Sequence, residues 1–133
     1  MKRPMSLVCS ICPLLFSVLL GCSQEPEPPH MVSVTGKVQL QGEAVTAGAI
    51  YLHPDESNSY QNDKPSSLLQ LDGSFTVKTY PFGDGVPPGK YKVTLSPELA
   101  SRLKKVKYGQ VAQTPWTVDV TDQGVKDLVF EVK

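Results

Sequence analysis

Several stretches of this chain place an apolar residue at every second position. That period fits a half-buried β-strand, with one face in a core and the other in solvent. In VSVTGKVQL, Val32, Val34, Val38 and Leu40 fall on one face, and Ser33, Thr35, Lys37 and Gln39 on the other. Gly36 interrupts the apolar face and predicts a bulge or a close backbone approach. In KYKVTLS, Tyr91, Val93 and Leu95 point inward. Near the end, Trp116, Val118 and Val120 lie on one face, and so do Leu128, Phe130 and Val132. That last run, WTVDVTDQGVKDLVFEVK, reads as a closing hairpin.

The connections carry turn chemistry. Gln41-Gly42 marks a tight turn, and Ile50 and Leu52 face inward on the strand that follows, up to Pro54. Asp72-Gly73 sits between two β-rich runs, a hairpin signal, with Phe75 and Val77 facing the core. The polar run Asp55 to Pro65 has no period and reads as a loop. The one helical candidate starts at Ser96, a capping residue, with Pro97 and Glu98 suited to a first turn. About seven short strands separated by turns predict an all-β fold, an antiparallel seven-stranded β-sandwich.

The N-terminus is of another kind. Lys2 and Arg3 precede an apolar run from Leu7 to Leu20, interrupted by Pro13. A spanning helix needs about 20 apolar residues, so this run is too short and reads as an export signal. Leu19-Leu20-Gly21-Cys22 resembles the lipobox of bacterial lipoproteins. That resemblance implies a diacylglycerol on the Cys22 thiol, cleavage before Cys22 and acylation of the new amino group. Residues 1–21 are then a lipoprotein signal peptide. Residues 22–31 are the lipidated cysteine and a proline-rich linker, and 32–133 are the domain. The segment Ser23 to Met31 has three prolines and reaches roughly 28 Å when extended. Cys9 and Cys12 leave with the signal, so the domain has no disulfide and is not an Ig domain with an inter-sheet cysteine pair. Ser23 is not the aspartate that holds lipoproteins at the inner membrane in some bacteria, which favours the outer membrane.

The domain also has a resemblance. VTGKVQLQGEAVTAGAIYLHP is similar to the first hairpin of carboxypeptidase-regulatory-like, transthyretin-like sandwich domains. Gly36, Val38, Gly42, Val45, Ile50, Leu52 and Pro54 are in matching positions. Ala44 stands where a proline is usual, and Ala47-Gly48-Ala49 shifts the usual glycine-alanine pair by one. Gly73 and Phe75 match a second motif, and Pro88, Gly89, Tyr91 and Val93 match a third. The resemblance implies a β-sandwich outside the cytoplasm that serves as an accessory or binding module, without catalytic residues.

The residues themselves offer little chemistry. The chain has 13 basic and 13 acidic residues, a balance unlike that of a nucleic-acid binder. Its two histidines, His30 in the linker and His53 at a strand end, make no Cys/His metal cluster. No nucleophile-elbow motif is present, and FGDGVPPG lacks the lysine of a phosphate loop. No cofactor is expected. Asp55, Glu56, Asn58, Asn62 and Asp63 are the hard oxygen ligands that calcium takes, but their spacing fits no calcium loop. Arg102, Lys104, Lys105 and Lys107 concentrate positive charge and are the candidate contact for an anionic surface. The expectation is an anchored envelope module, bound to the membrane through Cys22, that meets an envelope protein or an acidic glycan. The alternatives are a purely structural envelope protein and an enzyme of unrecognised type.

Overall fold

The computed structural model describes residues 27–133. The expected signal peptide, the expected lipidation site Cys22 and the first part of the expected linker lie outside the described residues. Among the described residues no helix is long and apolar enough to cross a membrane.

Two sheets pack as a sandwich. The smaller contains β1 (Val34–Leu40), β2 (Glu43–Ala44), β5 (Ser74–Thr76) and β10 (Val125–Val132). The larger contains β3 (Ala49–Pro54), β4 (Ser66–Leu68), β6 (Lys78–Thr79), β7 (Gly83–Asp84), β8 (Gly89–Leu95) and β9 (Thr117–Val120). Seven of these strands run three residues or longer, and the other three are two-residue pieces. In the larger sheet the order is β7-β6-β4-β3-β8-β9. Between β8 and β9 lie helix α1 (Pro97–Arg102) and a 3-10 turn, Val106–Gly109.

The alternation places the core as expected. Val34, Val38, Ile50, Leu52, Phe75, Val77, Tyr91, Val93 and Leu95 are buried, as are Trp116, Val118, Val120, Phe130 and Val132. Val32, Leu40 and Leu128 are partly buried at its margin. Four aromatic rings form a chain through the sandwich. Phe75 stacks on Phe130 with centroids 6.0 Å apart, Phe130 meets Trp116 at 5.0 Å, and Trp116 meets Tyr108 at 4.7 Å.

Two local expectations meet their geometry. Gln41 and Gly42 both take positive φ, the two-residue turn whose twist suits a hairpin, and Leu40 pairs with Glu43 across it. The β1–β10 register shifts between Val34 and Gly36. A Cβ on Gly36 would lie 2.7 Å from the Phe75 ring and collide with the Leu128 carbonyl. Only glycine lets the two strands close around that ring.

The chain's end is arranged differently from the closing hairpin expected for residues 116–132. β9 pairs with β8, whereas β10 crosses to the other sheet and pairs with β1, and that pairing is parallel. Among the described residues every other strand pairing is antiparallel. Alternation fixes which face a residue takes but not which strand lies beside it. The Asp72-Gly73 turn likewise closes locally, with the Gln70 N–H donating to the Ser74 carbonyl at 2.9 Å. Its arms then part, β4 to β3 and β6, and β5 to β1. Ser96 stands at the helix N-cap, but its hydroxyl makes no capping bond. Its amide instead donates to the Ala49 carbonyl at 2.8 Å, which fixes where the helix leaves the sheet.

Candidate functional site

The basic segment follows α1, and the structure divides its four side chains. The Arg102 guanidinium donates to the Thr46 carbonyl at 2.6 Å and to the Ala47 carbonyl at 3.0 Å. Arg102 therefore ties the helix to the loop before β3. Lys104 and Lys105 are set by the helix end. Lys104 takes φ 58, the Lys104 N–H donates to Ser101 O at 3.0 Å, and the Lys105 N–H donates to Ala100 O at 2.9 Å. This paired closure is the Schellman arrangement, with lysine where glycine is usual. The Lys107 ammonium lies 5.3 Å from the centroid of the Tyr108 ring, within cation–π reach. Tyr108 is buried against Trp116, and its hydroxyl accepts the Lys133 N–H at 2.9 Å. The segment thus stands on a braced base. Lys104 and Lys107 are exposed and Lys105 is half-buried. Among the described residues the one ion pair is Lys78–Asp84, so none of these lysines meets a carboxylate there.

The acidic loop is closed by its own side chains. The Asp55 carboxylate accepts the Ser57 hydroxyl at 2.6 Å and the Ser57 N–H at 3.2 Å, which holds its pKa below the usual carboxylate value. Asn58 pairs with the Lys90 backbone in both directions, accepting at 2.8 Å and donating at 2.6 Å. Gly89 makes room for it, because a Cβ there would strike the Asn58 amide. The Tyr60 hydroxyl donates to Asp63 at 2.5 Å. Burial, then that bond, pushes the phenol up to about 12. Among the described residues no three His, Cys, Asp or Glu side chains gather for a metal ion.

His53 lies on β3, with Nε2 2.8 Å from the Thr94 hydroxyl. Burial, then the nearby Lys64 charge, lowers its pKa below the ordinary 6.5. The fold therefore favours neutral imidazole more than the unfolded chain does. The stability this confers is complete above about pH 6.5 and declines as pH falls through that value and then the lowered one. Urea midpoints measured from about pH 8 to about pH 5 should fall more in the wild type than in His53→Gln. Equal slopes would show that His53 contributes nothing to acid sensitivity.

A feature that sequence reasoning missed is a groove of about 680 Å³ where β4 parts from β5, with β6 and the turn after it along its side. Ser67, Leu68, Thr76, Lys78, Tyr80 and Asp84 line it. Tyr80 is 84% exposed and Leu68 78%. Alternation carries no sign of this groove, because it depends on two strands that are adjacent in sequence joining different sheets.

No family model matches the chain, and no curated protein matches it. Among solved structures it is similar to a DUF3823 family protein from Parabacteroides merdae, with 20% identity and a TM-score of 0.47. The match covers 78% of this chain and 46% of that one, so this chain spans about half the length of the protein it matches.

Proposed function

We propose that this protein is a lipid-anchored module of the bacterial cell envelope, held through Cys22. In this reading it recognises an anionic partner, an acidic glycan or an envelope protein, and performs no catalysis. The observation that carries the reading is the group of three lysines, Lys104, Lys105 and Lys107, fixed by a closed helix end and free of carboxylate partners among the described residues. Arg102, engaged with two backbone carbonyls, positions the segment instead of meeting the partner. The carboxypeptidase-regulatory-like reading of the sandwich draws support from its motif residues. Gly36 admits the Phe75 ring, and Gly73 takes φ 79 in its turn. Tyr91 donates its hydroxyl to the Pro87 carbonyl at 2.6 Å.

Binding of the full chain in detergent to heparin, used as a model polyanion, is the test. Binding should be strong at low salt and vanish as ionic strength rises from about 0.01 M to about 1 M, where the screening length shrinks from about 30 Å to about 3 Å. Changing Lys104, Lys105 and Lys107 together to Gln should abolish the binding and alter stability by less than about 1 kcal/mol, since their contacts are at the surface. Salt-insensitive binding, or none, overturns the reading.

A further inference from the structure

The groove between β4 and the β6–β7 turn is separate from the lysine segment, and its chemistry is of a different kind. The geometry points to a binding site for an uncharged saccharide chain, with Tyr80 as the stacking platform. Tyr80 stands on a braced turn. The Phe82 N–H donates to the Thr79 carbonyl at 2.8 Å, and the buried Thr79 hydroxyl donates to the Gly85 carbonyl at 2.8 Å. The ring is thus displayed to solvent from a fixed backbone, and little ordering remains to be done when a ligand arrives.

A pyranose ring offers an apolar face of C–H groups and a rim of hydroxyls. The electron-rich face of an aromatic ring attracts the C–H side, and Leu68 gives the same side a second apolar surface. Hydroxyl and amide groups of Ser66, Thr76 and Gln70 stand around the groove to meet the rim. The Lys78 ammonium and the Asp84 carboxylate lie 3.7 Å apart, so they supply donors and acceptors while their charges offset. A groove without net charge suits a neutral sugar. It gives a polyanion no advantage, and its carboxylate disfavours entry into lipid. The volume, about 680 Å³, falls within the range of about 300–1,000 Å³ typical of ligand sites.

The test uses the full chain in detergent with maltohexaose, cellohexaose, mannohexaose and chitohexaose, read by calorimetry and by saturation transfer to the sugar C–H protons. At least one neutral hexasaccharide should bind. Tyr80→Ala should weaken that binding by at least about tenfold, and Tyr80→Phe, which keeps the ring, should stay within about threefold of wild type. Because Tyr80 is exposed, neither change threatens the fold. The triple lysine-to-glutamine variant should bind the sugar unchanged, which separates this site from the anion-binding segment. The inference is overturned if no neutral hexasaccharide binds, or if Tyr80→Ala leaves binding intact. It is equally overturned if Tyr80 instead governs binding to heparin or to phosphatidylethanolamine–phosphatidylglycerol vesicles.

Discussion

Phe130→Ala is expected to lower the unfolding free energy by about 3–5 kcal/mol. Phe130 is 7% exposed and sits mid-chain in the aromatic series, stacked on Phe75 at 6.0 Å and meeting Trp116 at 5.0 Å. Removing the ring leaves a cavity between the two sheets that strand backbones cannot collapse to fill. A typical domain has a total of only about 5–15 kcal/mol, so the variant should be marginal at physiological temperature. Trp116 is the single tryptophan, and its emission reports directly on the site. A denaturation midpoint that hardly moves would mean that the ring is not packed between the sheets. The variant should also loosen the lysine turn, because Tyr108 rests on Trp116 at 4.7 Å.

Cys22→Ala is expected to abolish lipid attachment completely. The expectation follows from the thiol's role in the proposed anchor, since alanine has no nucleophile to carry the thioether. One acyl chain binds membranes only marginally, at about 0.8 kcal/mol per buried CH₂, and two or three hold firmly. Mass spectrometry of the wild-type N-terminus should find an acylated Cys22 as the first residue. An unmodified cysteine, or a cut elsewhere, would falsify the anchor.

The core was legible in the sequence because period-two alternation and burial share one cause, the two-faced geometry of a strand. Val34, Val38, Val93 and Val120 could be assigned to the interior without knowledge of any partner strand. Strand pairing was not legible to the same degree. The residues around Asp122 and Gly124 look the same whether the strands they join lie side by side or in opposing sheets. The basic segment was visible as a run of charge, but its division was not. Arg102 looked equivalent to the lysines until its two carbonyl partners, from a loop more than fifty residues earlier, were in place. The helix end at Lys104 escaped notice because the left-handed position there is filled by lysine and not by the expected glycine. The groove beside Tyr80 depends on the parting of β4 from β5 and could be read only from the assembled sheets.

The parallel pairing of β1 and β10 has a mechanical consequence. The chain enters the sandwich at the Val34 end of β1 and leaves it at the Val132 end of β10, at opposite ends of a shared ladder about 20 Å long. In the proposed arrangement the membrane pulls on the first point. A captured partner pulls near the second, where Tyr108 grips the Lys133 backbone. Tension between them runs lengthwise along the two strands and loads their hydrogen bonds together, in shear. Antiparallel terminal strands, with both attachment points at one end, would open one bond at a time like a zip. The crossing that the sequence concealed is thus the connection that would let a small domain without disulfides bear a load between the proposed anchor and the proposed ligand.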